Sequence, residues 1–321
     1  MSVYDCKDCQ RPGTNQTPPI IPVASPAEGH PERPQMGLVR TLIDYDKEFA
    51  ESALPQKLRE LYDGDLHFRS PPPARPFVIA NFVSTLDGVV SYEIKGKSGG
   101  SIISGSDPAD RFIMGLLRAS ADAVMVGAGT LHDVSAKSLW TPEYVYPDAK
   151  DLYEEYRVNA QHKPEYPLLV IVSGSGRLEL ERAIFRTPAI PTVVITTPAG
   201  RDELTRRGAT TLGSVEIHAL NSSSGSIAPQ AILQLLQSQF GVKTLLHEGG
   251  PTLFGQFLAA EVVDELFLTL SPQIAGRKGV ATRPAVVQGV EFVPDSAPWF
   301  QTVSVKENAA YLYLRYRRRR S

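Results

Sequence analysis

Cysteine is nearly missing from this chain: only Cys6 and Cys9 occur among 321 residues. They form a single C-x-x-C near the start, in MSVYDCKDCQRPG. A structural zinc takes four ligands, and here no second cysteine pair exists and His30 adds only one more donor. A redox pair needs a folded context and a following helix, but RPGTNQTPPIIPVASPAEGHPERP comes next. The pair therefore reads as part of a disordered tail, and residues 1–35 as Pro-rich and mobile. An excess of charge is lacking too. A net charge of −2 gives no general reason to expect nucleic acid or an anionic membrane as partner. The arginines of RYRRRR (315–320) read as a solvated chain end. No run of about 18 apolar residues is present, so no spanning helix is expected. The first residues lack a basic stretch followed by an apolar one, so no signal peptide is expected either. These absences point to the cytoplasm. The six histidines show no H-x-x-x-H spacing, and no metal is expected.

What is present is an ordinary globular composition, 42% hydrophobic and 21% charged. Residues 44–62 carry helical apolar spacing broken at Pro55, read as two short helices, and SPPPARP (70–76) reads as an extended linker. Residues 1–73 are thus expected to be an extension and 74–321 the main domain. β-rich runs at 77–83, 122–126, 168–172, 192–196, 215–218, 243–247 and 265–270 alternate with helical ones near 107–119, 228–240 and 251–260. That alternation predicts an α/β fold of three layers, with a mostly parallel sheet covered on both faces. The last segment, TVSVKENAAYLYLRY, alternates with period two about a turn and predicts a closing antiparallel hairpin.

Ligands of such sheets bind at the carboxyl ends of the strands. Four of those ends carry small-residue turns: S84-T-L-D-G88, G127-A-G-T130, S173-G-S-G-R177 and H247-E-G-G-P251. Backbone amides and hydroxyls in such turns suit a pyrophosphate, above all where two glycines open a helix. Two motifs fail. GKS at 96–98 lacks the P-loop glycine, since Ser91 stands at that position. GAGT at 127–130 lacks the third glycine of a Rossmann fingerprint, and it does not follow the first strand.

The set N81-F-V-S-T-L-D-G88, G96-K-S-G99, L117-R-A-S-A-D-A-V-M-V-G-A-G-T130, E248-G-G-P-T-L253 and V263-D-E-L266 resembles the pyrimidine reductase family of riboflavin biosynthesis, the RibD C-terminal type. The resemblance covers roughly residues 75–318 with the motifs in the same order. It implies a dihydrofolate-reductase-like fold, closed by the C-terminal hairpin, and NADPH as hydride donor. The implied substrate is a phosphoribosylamino-pyrimidine whose ribose is reduced at C1. A homodimer is implied as well. The zinc-deaminase signature, H-x-E with P-C-x-x-C, is absent, so a stand-alone reductase is expected.

Carried over to this chain, the family pattern puts Ser84, Gly127, Gly129 and Thr130 beside the cofactor. It lays the backbone of Gly249, Gly250, Pro251, Thr252, Leu253 and Phe254 on the pyrophosphate. Ser173 falls at the adenosine end and Arg177 at the 2′-phosphate. Gly100, Arg118 and Glu248 fall at substrate positions. Glu248 is the expected catalytic carboxylate, stabilising positive charge at the sugar carbon. Asp87 either orients the ribose or satisfies its own turn. Arg118 either meets substrate or serves as a helix C-terminal cation. The chain departs from the family at Ile102, where a Trp is usual, and at Val134, where an Asp is usual, with Asp133 one residue early. Residues 139–156 are an aromatic, acidic insertion where the family supplies a substrate-binding arginine. These departures leave a second reading open, a binder of NADPH or flavin on the same fold without turnover. A folate-type reductase fits the EGG motif and Arg118 less well.

Overall fold

The computed structural model describes residues 37–46, 53–94, 98–209, 215–223, 225–278 and 283–319. Cys6, Cys9 and His30 lie outside the described residues. In chain order the elements are β1 (Arg40–Asp44), α1 (Gln56–Tyr62), β2 (Phe77–Thr85), α2 (Gly100–Ile103), α3 (Pro108–Ser120), β3 (Ala123–Gly127) and α4 (Ala128–Asp133). Then come α5 (Pro142–Val145), α6 (Lys150–Glu154) running into a π-helical turn (Glu155–Ala160), β4 (Leu168–Ser173), β5 (Thr192–Thr196), α7 (Pro198–Arg206) and β6 (Val215–Ala219). The chain ends with β7 (Ser222–Ser223), β8 (Ser226–Ile227), α8 (Pro229–Phe240), β9 (Thr244–His247), α9 (Pro251–Ala259), β10 (Glu265–Ser271), β11 (Phe300–Asn308) and β12 (Tyr311–Arg318).

One ten-stranded sheet runs β1-β11-β12-β10-β2-β9-β3-β4-β5-β6. From β10 to β6 every neighbouring pair is parallel, and β12, β11 and β1 add antiparallel strands at the other side. This is the mostly parallel, hairpin-closed α/β arrangement expected from the alternation. The period-two geometry of a strand divides β2 between two cores. Phe77 and Ile79 pack with Phe112 and Leu116 of α3, while Val78, Ala80 and Phe82 pack with Leu233 of α8 and Phe254 and Phe257 of α9. Every β2 residue but Asn81 is buried, which is why the run reads as continuously apolar. Truncating a wholly buried anchor such as Leu116 to Ala would cost about 2–5 kcal/mol.

Helix α3 starts where its sequence says it should. Asp107 caps it by accepting the Asp110 N–H at 2.8 Å, Pro108 occupies the first turn, and Ala109, Phe112, Ile113, Leu116 and Leu117 are buried. Among the described residues no helix is long and apolar enough to cross a membrane.

Two expectations need correction. Of residues 44–62, expected to form two short helices, Asp44 closes the strand β1 paired to β11 and Gln56–Tyr62 form α1, with Pro55 preceding that helix instead of interrupting one. The sheet thus includes residues 40–44. Within RYRRRR, Arg315, Arg317 and Arg318 belong to β12 and are not a solvated end. Strand β12 lies between β11 and β10, so its alternate side chains are covered, and Arg315 and Arg317 are 2% and 6% exposed. Both donate to the buried Glu265, with Nε–O distances of 2.8 Å, and both pair with Asp46. Period two, sound for the hydrophobics, also buries arginines wherever carboxylates are positioned to meet them.

Candidate active site

A cleft of about 360 Å³ opens at the carboxyl ends of the parallel strands. Its floor is the β3–α4 turn, Gly127 to Thr130, and the first turn of α9, Gly250 to Leu253. The far wall is the tip of β4 with Gly174, joined by Gly225 to Ile227 around the β7–β8 turn. Pro284 and Gln288 close the near side.

Three glycines of this cleft are free of the demands that hold others in the chain. A Cβ on Gly129 would meet nothing within 4 Å, on Gly250 only Thr130 Oγ1 at 3.4 Å, and on Gly127 only Leu253 Cδ2 at 3.7 Å. None of the three has a positive φ. Neither packing nor backbone conformation requires glycine there. Glycine in these places keeps the backbone bare toward the cleft, as a closely approaching ligand requires. Gly176 and Gly200 are the opposite case: a Cβ on Gly176 would come within 2.0 Å of the Gly200 carbonyl, and on Gly200 within 2.0 Å of Thr196 Oγ1. Helix α9 begins at Gly250 without any side-chain cap, and Pro251 has no N–H to give. The Thr252 and Leu253 amides of its first turn therefore have no partner within the helix and lie beside the cleft, an arrangement that favours an anion.

The expected pyrophosphate run, Gly249 to Phe254, is too long at both ends. The Gly249 N–H turns inward and donates to His247 Nδ1 at 3.2 Å, and a Cβ at Gly249 would lie 2.9 Å from Leu253 Cδ2. Phe254 uses its N–H on the Gly250 carbonyl, and its ring packs 4.6 Å from that of Phe82. His247, fully buried, was missed in the sequence. Desolvation pushes its imidazole down to about 4, and its Nε2 has no hydrogen-bond partner. A histidine in an apolar run gives no hint that its ring supports the following turn.

Arg118 and Glu248, separate substrate positions in the family pattern, come together. Arg118 Nε donates to Glu248 Oε1 at 3.0 Å and Nη2 to Oε2 at 2.7 Å, a bidentate pair whose side chains are 5% and 9% exposed. Arg118 Nη1 donates to the Leu139 and Thr141 carbonyls at 3.4 and 3.2 Å. The insertion thus folds as α5, α6 and the π turn against α3, and its first carbonyls occupy the Arg118 fork. Tyr153 fits over Gly115, where a Cβ would stand 2.6 Å from its hydroxyl. Arg118 does stand in the last turn of α3, and its guanidinium there is held by Glu248 and by two carbonyls of the insertion.

Other expected residues have partners of their own. Asp87 accepts from Thr85 Oγ1 at 2.6 Å and from the Ala275 and Gly276 amides at 3.1 and 2.8 Å. The Thr85 hydroxyl and then those amides hold its carboxyl down at about 2. Asp87 fastens the loop after β10 to the loop after β2, so it is not placed as a catalytic group. Ser173 Oγ accepts the Gly176 N–H at 3.2 Å and shapes its own turn. Ser84 is buried in register with Leu270, and Gly100 opens α2, packed against Val83. Neither lines the cleft. Arg177 is exposed, with no ion pair or hydrogen bond of its guanidinium among the described residues. Asp133 lines the cleft with its carboxyl raised by burial, whereas Val134 does not.

Comparison with known proteins settles the family. Residues 76–303 match the RibD C-terminal domain. This chain belongs to the RibD C-terminal domain family. It is similar to the 2,5-diamino-6-ribosylamino-4(3H)-pyrimidinone 5′-phosphate reductase of Archaeoglobus fulgidus, 27% identical over 68% of this chain and 89% of that one. The protein of the same name from Methanothermobacter thermautotrophicus is 29% identical over 65% and 83%. Among solved structures, a pyrimidine reductase-like protein from Corynebacterium diphtheriae superposes with a TM-score of 0.58 at 21% identity, covering 77% of this chain and 93% of that one. Acinetobacter baumannii RibD gives 0.59 at 20% identity over 77% of this chain, which spans 59% of its length. Both likenesses are of fold. Of the cleft residues not singled out from the sequence, Gly225 to Ile227, Pro284 and Gln288 come from short or irregular segments without a periodic pattern, and Gln256 from the second turn of the expected helix α9.

Proposed function

We propose that this RibD-family chain is an NADPH-dependent reductase that delivers hydride to C1 of the ribose of a phosphoribosylamino-pyrimidine. The observation that carries the reading is the set of three cleft glycines, 127, 129 and 250, that nothing inside the protein requires. They surround the uncapped start of α9, and the buried Glu248 carboxylate immediately precedes that turn. The names of the archaeal relatives support the substrate class.

A reduced nicotinamide, when bound, supplies the hydride. The chain's own residues do the rest. The bare backbone of Gly127, Gly129 and Gly250 admits the dinucleotide closely, and the Thr252 and Leu253 amides meet its pyrophosphate. Arg177, at the end of β4, is the cation for a 2′-phosphate, with Arg201 on α7 exposed beside that edge. Arg118 holds the Glu248 carboxylate in one orientation, with one face toward the sugar where positive charge develops. The homodimer implied by the family and the cytoplasmic setting expected from the sequence belong to the same proposal, and sedimentation would test the first.

The insertion favours one variation. Four N–H contacts of Arg118 are already used, so a substrate phosphate has to find another cation. Turnover of phosphorylated and dephosphorylated ribosylaminopyrimidine with NADPH tests both levels. No oxidation of NADPH with either, despite tight NADPH binding, would favour a binder without turnover.

A further inference from the structure

Helix α3 lacks the glycine that closes many helices, and Ala121 at its C-cap is extended. The Ala121 N–H takes the Leu117 carbonyl at 3.1 Å, which leaves the carbonyls of Arg118, Ala119 and Ser120 to be met from outside. Their donors come from the π turn at the end of the insertion and the loop behind it. Arg157 Nη1 donates to the Ala119 carbonyl at 3.1 Å and to the Ala121 carbonyl, and it stands 3.5 Å from that of Arg118. Gln161 Nε2 donates to the Ala119 carbonyl at 3.2 Å, and Lys163 Nζ donates to that of Ser120. Arg157 Nε holds the Pro164 carbonyl at 2.6 Å, which ties the loop to the same guanidinium. Arg157 is 1% exposed, and among the described residues no carboxylate bonds to it. Asp122, whose charge reaches it, pairs with Lys163 at 3.0 Å. A buried cation normally sits against an acid. This one sits on carbonyls, at the negative end of a helix.

The helix end so gripped is the one that carries the site. Arg118 lies in the last turn of α3, and its fork holds both oxygens of Glu248. The insertion therefore meets Arg118 from two sides. Its first carbonyls, of Leu139 and Thr141, take Nη1, and its π turn holds the main chain of the last helical turn. One turn earlier, the Tyr153 hydroxyl donates to the Phe112 carbonyl at 2.8 Å. A helix end without such partners frays, and movement there would pass through Arg118 to the Glu248 carboxylate.

We propose that Arg157 is a positioning residue for the reduction: it pins the end of α3, so that Arg118 presents the Glu248 carboxylate to the sugar carbon in one orientation. This rests on the proposed function above. Arg157 is buried outside the cleft lining and acts only through Arg118. The cofactor turns belong to β3, α4 and α9, so loosening the end of α3 leaves them standing. A misplacement of about 1 Å at a reacting group costs on the order of a hundredfold in rate. The loss should therefore fall on kcat, with NADPH affinity retained.

The test compares the full chain with Arg157→Met, which keeps the stem and removes every N–H, and Arg157→Lys, which keeps the charge. Leu236→Ala in α8, buried in the core on the other face of the sheet, is the control for lost stability alone. Each protein is measured for melting temperature, NADPH affinity and kcat with the ribosylaminopyrimidine phosphate. In 15N-arginine-labelled protein the Arg118 Nε–H resonance, assigned through Arg118→Lys, reports its bond to Glu248. Arg157→Met should lower kcat roughly tenfold to a hundredfold, leave the NADPH Kd within about twofold, and displace or broaden the Arg118 resonance. Arg157→Lys should recover part of the rate and of the resonance. Leu236→Ala should melt lower, yet keep the wild-type kcat and resonance. A folded Arg157→Met with wild-type kcat and resonance overturns the inference, as does a Leu236→Ala that loses as much rate. If Arg157→Met does not fold, Arg157→Lys decides, and wild-type rate and resonance in it overturn the inference. If the wild type does not oxidise NADPH with the pyrimidine, the proposed function fails. The Arg118 resonance then decides alone: unmoved by Arg157→Met it overturns this inference too, and displaced it supports Arg157 as the residue that positions the pair.

Discussion

Substituting alanine for Gly129 should strengthen the fold and weaken the cofactor, two effects of opposite sign from a single methyl group. Gly129 is in α4 with space around the position of a Cβ, so alanine brings helix propensity worth about 1 kcal/mol and no clash. For a domain of this size that raises Tm by roughly 2–4 °C. The same methyl group points into the cleft and holds a pyrophosphate off the backbone. Loss of one amide bond to a charged phosphate costs about 1.5–3 kcal/mol, or roughly 10- to 150-fold in Kd. Gly249→Ala is the control. Its Cβ would lie 2.9 Å from Leu253 Cδ2 and 3.1 Å from His247 Cε1, so it should destabilise by about 1–3 kcal/mol through overpacking. Calorimetry and NADPH fluorescence titration on both variants read the two effects separately. A Gly129→Ala protein that binds NADPH as wild type does, or melts lower, would refute the argument that these glycines exist for a ligand.

Other expectations follow from the same geometry. Glu248→Gln should lower kcat/KM by a hundredfold or more, and it should also destabilise the fold by about 2–4 kcal/mol because it leaves the buried Arg118 underpaired; urea unfolding that matches wild type would speak against this. Arg177→Ala should erase most of the preference for NADPH over NADH, about tenfold or more in relative Kd, and an unchanged ratio would move the 2′-phosphate elsewhere. Stability against pH should expose two opposed groups. His247, lowered from 6.5 to about 4, makes the unfolded state the better proton binder across that window, so its contribution rises with pH by about 3 kcal/mol. Asp110, raised from 3.8 to about 6, makes the native state the better binder, so its contribution falls with rising pH by about as much. The two nearly cancel in wild type between pH 4 and 6. Asp110→Asn should then unmask a rise with pH and His247→Asn a fall, and parallel curves for all three proteins would contradict both shifts.

Apolar periodicity made most of the sheet legible. Strands β2, β4 and β5 are largely buried runs whose length and β-branched content distinguish them from helices, β10 alternates buried and half-buried residues, and α3, α8 and α9 carry Pro at their first turn. The glycine turns at 127–130 and 249–251 were legible because small residues at strand ends are uncommon without a ligand. What failed did so where tertiary partners decide. Arg315 and Arg317 look solvated until Glu265 and Asp46 are brought beside them. Gly249 looks like its neighbour until His247 takes its N–H. Asp87 resembles a catalytic acid until the loop after β10 folds onto it. Arg118 and Glu248, 130 residues apart in sequence, carry no local sign that they bind each other. Helix α7, polar around Gly200, was not anticipated at all.

The central claim is hydride transfer from a nicotinamide in the glycine-lined cleft to the sugar carbon of a ribosylaminopyrimidine. The most direct measurement supplies NADPH deuterated at C4 on the transferring face, together with 2,5-diamino-6-ribosylamino-4(3H)-pyrimidinone 5′-phosphate, and analyses the product by mass spectrometry and proton NMR. The predicted result is one deuterium per molecule at C1′ of a ribityl chain, formed in step with loss of absorbance at 340 nm and abolished by a bulky residue at position 250. Unconsumed NADPH, or deuterium on the pyrimidine ring in place of the sugar carbon, would contradict it.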